Sequence, residues 1–282
     1  MTGVEGATGC ETAGCVTAGV GGGPGSLAAA DWAAREALSR GTVLRLVHAW
    51  DQPSAVLADA VAGVVPPPDR DRSAALLAAA RDTLARRYPG LTVTTESRCG
   101  PLAAALTGAG ADGGLLVLGS RGSGRATGLL LGSLARAAVA RSGRPVVLVR
   151  PGDDEDRTGQ GDVVVGVGPA GPDDTVLGFA FDAASRRTAP LRVVHGDDPA
   201  GRTRQRLTEA LRAWQDKYPD VRVARQPVVG TAAAHLVDAA RDACLLVVGR
   251  TGRRPALATH IGPVTDAVLQ HATAPVAVVP HG

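Results

Sequence analysis

The stretch LVLGSRGSGRATGLLLGS, Leu116 to Ser133, decides how this chain is read. It opens as an uninterrupted apolar run, turns rich in glycine at positions 119, 122, 124, 128 and 132, carries Arg121 and Arg125, and leads into the alanine-rich LARAAVARS. A strand, a glycine-rich connection and a helix start are the parts of an anion site. The first N–H groups of a helix have no partner within it, and the helix dipole is positive at that end. The same parts make a compact connection in any chain with 37 glycines among 282 residues. Context outside the stretch separates the two readings.

The chain repeats itself. LRLVHAW, ending at Trp50, returns as LRVVHGD, ending at Asp197; His48 and His195 stand 147 positions apart, and Gly19 and Gly166 keep that offset. Farther on the offset is 130: Tyr88-Pro89 returns as Tyr218-Pro219, Gly100 as Gly230, Gly119 as Gly249, and Pro145-Val146 as Pro275-Val276. The first copy therefore holds 17 extra residues between Trp50 and Tyr88, and QPSAVLADAVAGVVPPP, with its prolines 66 to 68, is the natural candidate for a surface excursion. Between the copies, PGDDEDRTGQG reads as solvated linker, so Asp153, Asp154, Glu155 and Asp156 are not taken as a cation site. The expected boundaries are a flexible tail over 1–14, a first domain over 15–151, a linker over 152–161 and a second domain over 162–282.

Within the first copy VTAGV, VLRLVHA, LTVTTE, LLVLG and PVVLV are short Val- and Leu-rich runs, separated by segments with helical spacing such as LAAADWAAREALSRG. There Leu27, Trp32, Ala34 and Leu38 are expected to share part of one buried face, with Gly41 as the stop. Near-continuous apolar strands alternating with helices specify an α/β fold with a doubly wound parallel sheet. Each copy has room for five strands and about four helices.

Composition narrows the function classes. Hydrophobic residues make up 45% and charged residues 20%, as in a globular chain, but aromatics are only 2%, too few to build stacking platforms for single-stranded nucleic acid. The formal charge of +3 is mild and evenly spread, so no nucleic-acid partner is expected. Cys10, Cys15, Cys99 and Cys244 form no CxxC pair, and neither they nor His235, His260 and His271 have metal-ligand spacing. The first basic residue is Arg35, which leaves no signal-peptide start, and no apolar run reaches membrane-spanning length. The expected compartment is a reducing cytoplasm. No GxSxG elbow exists, and the sole lysine, Lys217, precedes a tyrosine, which excludes a GxxxxGK[ST] loop. His48 and His195 occupy equivalent strand ends and are read as structural histidines rather than acid–base groups.

The spacing Gly119-x2-Gly122-x9-Gly132-Ser133 has a strand before it, a helix after it, PVVLV next and Cys99-Gly100-Pro101 upstream. With the LRLVHAW strand end, it resembles the nucleotide-binding signature of the universal stress protein family, and the resemblance extends over nearly all of both copies. It implies a tandem member with two Rossmann-like domains, each a parallel sheet of order 3-2-1-4-5. They would pack as an intramolecular pseudo-dimer through PVVLV and PVAVV; a homodimer of such chains and a protein partner stay open. It also implies a regulatory or stress-response protein that binds ATP, with Mg2+ as its accompanying ion, or another adenine nucleotide. The first domain is favoured, and turnover is at most slow ATP hydrolysis. The site residues carried over are Gly21, Ala49, Gly119, Arg121, Gly122, Gly132, Ser133 and Leu134 in the first copy, and Gly249, Gly252 and Gly262 in the second.

The chain also departs from the family pattern. ATP-binding members usually carry an aspartate just after the first strand; here Gly21 and Gly168 stand there. The second signature ends Gly262-Pro263, with proline for serine, so the second copy is expected to be empty or to bind far more weakly. A scaffold of the same fold that binds no nucleotide is the main alternative. A lesser one is an NAD-type dinucleotide protein, from Gly166-x-Gly168-x2-Gly171 with Asp197 or Asp198 for the ribose, although Pro169 and Pro172 break the helix start that fingerprint needs.

Overall fold

The computed structural model describes residues 14–50, 70–111, 113–120, 132–152, 161–196, 202–251 and 261–282. The proline-containing insertion, most of the linker and the centres of both glycine-rich segments lie outside them. The first half runs β1 (Val16–Gly19), α1 (Pro24–Arg40), β2 (Leu44–Trp50), α2 (Arg70–Arg87), β3 (Val93–Cys99), α3 (Leu102–Ala111), β4 (Leu115–Gly119), α4 (Ser133–Arg141) and β5 (Val146–Val149). The second half repeats the order: β6 (Asp162–Val167), α5 (Asp174–Arg187), β7 (Leu191–Gly196), α6 (Arg202–Lys217), β8 (Val223–Val228), α7 (Ala232–Ala239), β9 (Ala243–Thr251), α8 (Pro263–His271) and β10 (Val276–His281).

The strands form one sheet of ten, in the order β3-β2-β1-β4-β5-β10-β9-β6-β7-β8. Each half has the order 3-2-1-4-5 expected from the sequence, and within each half neighbours are parallel. The two halves meet where β5 and β10 pair antiparallel, Val146 opposite Val278, Val147 opposite Ala277 and Leu148 opposite Val276. An antiparallel pair between equivalent strands requires a twofold relation between the halves. The two expected five-stranded sheets are thus one continuous sheet.

Successive strand residues point to opposite faces, and both faces are covered. Leu115 and Val117 join a core with α1, α2, α5 and α6, whereas Leu116 and Leu118 join a second core with α3, α4, α7 and α8. That two-sided burial is why the strands read as unbroken apolar runs rather than as alternating ones.

Helix α1 departs from the expected face. Trp32 and Ala34 are buried, but Leu27 and Leu38 are 52% and 41% exposed. The buried arc is instead made by Gly25, Ala29, Ala30, Ala33 and Ala37 with Trp32. Small residues let the helix lie close to the sheet, and a Cβ added at Gly119 would fall 2.6 Å from the carbonyl carbon and oxygen of Gly25. The helix ends as expected at Gly41, which adopts the left-handed conformation (φ 61°) and donates to the last carbonyls. The equivalent residue of the second half is Thr188, which takes the same conformation (φ 51°) at the end of α5. It is the one non-glycine residue with positive φ among the described residues.

Above the β5–β10 junction, α1 meets α5. Glu36, 3% exposed, lies among Arg40 of its own helix and Arg186 and Arg187 of α5, with Arg40 Nε at 2.6 Å and Arg187 Nη2 at 2.5 Å. Burial works to raise its pKa, but attraction from Arg187, Arg40 and Arg186 and the hydrogen bond from Arg40 outweigh it and hold the carboxyl below its ordinary range. The guanidinium of Arg187 lies 5.5 Å from the Trp32 ring centre, and that of Arg40 lies 5.9 Å from Phe179.

Three outcomes follow for stability, each readable by urea unfolding. Thr188→Gly is expected to stabilise the protein by about 0.5–1 kcal/mol, the left-handed cost of a branched residue less the extra chain entropy of glycine in the unfolded state. Gly119→Ala is expected to cost about 1–3 kcal/mol, because the added methyl meets backbone that cannot yield, whereas Gly21→Ala, with open space around it, should stay within about 0.5 kcal/mol. Glu36→Gln is expected to cost about 3–5 kcal/mol near neutral pH by leaving buried arginines uncompensated. Since the native pKa is lowered from 4.5, the contribution is complete above that value and is lost as pH falls through the native one. The gap between wild type and variant should therefore close on acidification, and a pH-independent gap would refute this account of the cluster.

Candidate functional site

The order 3-2-1-4-5 reverses direction between β1 and β4, and the crevice beyond the carboxyl ends of those strands is where doubly wound sheets take ligands. Strand register brings the expected residues to that edge. Gly19 pairs with Val47, which puts Gly21 level with Ala49 of β2. Ala18 pairs with Val117, which puts Gly119 level with Val20. The Gly132 N–H donates to the Ser120 carbonyl at 3.1 Å, which draws the start of α4 up to the end of β4. Gly21, Ala49, Gly119, Gly132, Ser133 and Leu134 therefore gather at one edge of the first half. Arg121 and Gly122, and Gly252 in the second half, lie outside the described residues.

These positions have different jobs. The missing side chain of Gly119 serves the approach of α1, as described above. In the second half, the equivalent Gly249 lies under His281: an added Cβ would come 2.7 Å from His281 Nε2 and 3.1 Å from Val176. His281 in turn meets the carboxylate of Asp173 at 3.2 Å, and Asp173 caps α5 by accepting from Thr175 and Val176. By contrast, a Cβ at Gly21, Gly168 or Gly262 would meet nothing within 4 Å. Of these crevice glycines, the open ones are thus those after the first strands and at the start of α8. The fingerprint glycine Gly166 answers to packing, since a Cβ added there would fall 2.9 Å from Leu236 of α7, and α5 opens only at Asp174, three residues beyond Gly171.

The two helix starts share a backbone and differ in chemistry. Gly132 caps α4 with φ −58° and ψ 142°, and Gly262 caps α8 with φ −60° and ψ 153°; neither helix has a side-chain cap. Helix α4 opens with Ser133, which has an N–H and a hydroxyl; α8 opens with Pro263, which has neither. The first turn of α4 carries Arg136 and that of α8 carries Asp266, and the two meet at 2.7 Å. Thr265, where α4 has Ala135, turns its hydroxyl to the Gly249 carbonyl at 3.3 Å.

Sequence reasoning passed over Ser120. Its side chain is 5% exposed and its hydroxyl has no hydrogen-bond partner among the described residues, although it follows Gly119 directly. A buried hydroxyl without a partner is costly, and its place at the crevice marks it as a group that a ligand could satisfy. His48, by contrast, is tied to the Val20 carbonyl through Nδ1 at 2.7 Å, which joins the ends of β1 and β2, and buried His195 meets the carbonyl of its neighbour Gly196 at 3.0 Å.

No helix among the described residues is long and apolar enough to cross a membrane. The model of the universal stress protein family matches residues 16–150 and 197–280. A universal stress protein of Mycolicibacterium smegmatis is 35% identical over 67% of this chain and 69% of its own length. One of Mycobacterium tuberculosis is 33% identical over 90% of this chain and 92% of its own. Among solved structures, a universal stress protein of Archaeoglobus fulgidus superposes with a TM-score of 0.67 over 95% of this chain and 98% of that one, at 15% identity, a likeness of fold. Two copies of the 3-2-1-4-5 sheet, the crevice glycines and relatives that match over nearly the whole length lead to one assignment: the chain belongs to the universal stress protein family.

Proposed function

We propose that the first half binds ATP, or another adenine nucleotide, in the crevice between Gly21 and the start of α4, and that the protein acts as a regulatory or sensing member of its family, with at most slow ATP hydrolysis. The observation that carries this reading is the contrast between the two helix starts. Both are capped by a glycine, but only α4 keeps every donor: the amides of its first turn and the Ser133 hydroxyl. Preset amides at a helix start suit phosphate oxygens, since they complement negative charge with no reorganisation. The Ser120 hydroxyl adds a buried group without a partner among the described residues. Mg2+ would enter as the counter-ion of the phosphates. In the second half, proline removes one amide and the serine hydroxyl together, and Asp266 adds a carboxylate to the first turn. That half then serves mainly as the structural partner of the first.

One observation favours the second reading, a scaffold that binds no nucleotide. At Gly21, where family members that hold ATP usually carry an aspartate, there is open space and no side chain. The adenosine end of the site is therefore weaker than its phosphate end, and the same opening supplies the test. Gly21→Asp has room for its side chain and no positive φ to oppose it. Calorimetry with ATP should give one tight site per chain. Gly21→Asp should tighten it about tenfold, the worth of one charge-assisted hydrogen bond. Ser133→Pro should weaken it by about a hundredfold, the loss of two such donors. Wild-type protein that neither carries nor binds nucleotide would favour the scaffold, and two equivalent sites would refute the asymmetry.

A further inference from the structure

The helices that follow the two glycine-rich segments are each held at the far end by an arginine of the other half. Arg250, in β9, donates through Nη2 to the carbonyl of Ser142, the C-cap of α4, at 2.6 Å. Arg150, just after β5, donates to the carbonyls of Leu269 and Gln270 in the last turn of α8, at 3.0 and 2.6 Å. Arg136 and Asp266 join the first turns of the two helices. Helix α4 is thus tied to the second half at both ends.

Arg250 is the residue after Gly249, at the head of the second glycine-rich segment. Its guanidinium is partly buried, and burial disfavours its charge, so it is set into the interface rather than carried in water. A guanidinium at a helix C-terminus complements both the last carbonyls and the negative end of the dipole. With nine residues, α4 is a short stiff rod, so a shift at its C-cap is carried to its first turn.

We infer that Arg250 is a positioning residue for the nucleotide site of the first half, and that through it the second half sets the affinity of that site. The inference rests on the reading of the crevice as a nucleotide site. Phosphate affinity depends on where the amides of the first turn of α4 sit. The second half fixes that position from the opposite end of the helix without touching the ligand. The second copy, poor in phosphate donors, keeps a role as the regulator of the first.

The test compares two methionine variants of the full chain. Arg250→Met keeps most of the aliphatic stem and removes the guanidinium that holds α4; Arg150→Met does the same to α8. ATP binding is followed by calorimetry, and hydrogen exchange at the amides of Arg136, Ala137 and Ala138, the first hydrogen-bonded ones of α4, is followed without ligand. Arg250→Met is expected to weaken ATP binding about tenfold and to speed exchange at the start of α4. Arg250→Lys should recover part of both, and it serves as the test variant if the methionine protein does not fold. Arg150→Met, which reaches α4 only through the exposed Arg136–Asp266 pair, should change affinity and exchange in α4 far less than Arg250→Met even where its thermal stability falls as far. Equal weakening by both methionine variants, or unchanged affinity and exchange in Arg250→Met, would overturn the inference while leaving the nucleotide reading intact. Wild-type protein that binds no ATP would instead remove that reading. Exchange alone then decides whether the second half positions α4: selective acceleration in Arg250→Met upholds the clamp, and its absence refutes it.

Discussion

Everything in this molecule hangs on the antiparallel contact between β5 and β10. Each presents a short, fully apolar run at what would otherwise be the open edge of a parallel sheet, VVLV in one half and VAVV opening the other. An exposed edge of that composition would pair with any available strand. Pairing the two edges with each other closes both, fuses two sheets into one and fixes a twofold axis near Val147 and Ala277. The other contacts between the halves follow from that axis. It brings α1 over α5 on one face and α4 beside α8 on the other.

Residues near a twofold axis meet their own equivalents, and a duplicated chain can do there what two identical subunits cannot. Arg136 and Asp266 are separated by the repeat offset of 130, so they are one position in two copies; with identical copies, arginine would face arginine or aspartate would face aspartate. Here they form an ion pair. On the other face, Arg40 and Arg187 are equivalents at the offset of 147. They converge on Glu36, whose own equivalent is Ala183, and one carboxylate serves both. The same two arginines reach over Trp32 and Phe179, again one position in two copies, each crossing to the other half. At the sheet base, Arg192 pairs with Asp162, whereas its equivalent Arg45 donates to the Cys15 sulfur at 2.9 Å and pairs with Glu96. The differences at the two helix contacts, Arg136 with Asp266 and Glu36 with Arg40 and Arg187, make the halves complementary to each other rather than to themselves, which favours pairing of a first half with a second half over pairing of like halves.

The repeat and the strands themselves were readable because they rest on spacing and on local apolar runs, whereas the strand order and the pairing of the last strands followed only from the family resemblance. Gly41 was readable as a helix stop because glycine announces a left-handed residue; Thr188 was not, since a threonine does not, and only the offset of 147 points to it. The buried face of α1 was misjudged because leucines were given priority. Close packing against Gly119 selected alanines instead and left Leu27 and Leu38 outside. That contact joins residues nearly a hundred positions apart, and neither side chain announces it. The place of Gly21, Ala49, Gly119, Gly132, Ser133 and Leu134 at one sheet edge was legible. What each glycine is for was not, since Gly119 and Gly249 answer to packing while Gly21 and Gly262 face open space.

The ion pair between α4 and α8 also bears on how the first half could hold an anion. An arginine in the first turn of a helix would ordinarily be counted as a phosphate ligand. Arg136, however, has a carboxylate at 2.7 Å and is nearly half exposed. Its charge is already shared with Asp266 and screened by water, so it adds little field at the helix start. The discrimination between the two crevices must then come from groups that no counter-charge neutralises: the first-turn amides of α4, the Ser133 hydroxyl and the buried Ser120 hydroxyl. Such donors act through position rather than through net charge. This is why the end of α4 that faces the second half matters to the end that faces the crevice. A site built mainly from preset dipoles is only as good as the placement of the helix that carries them.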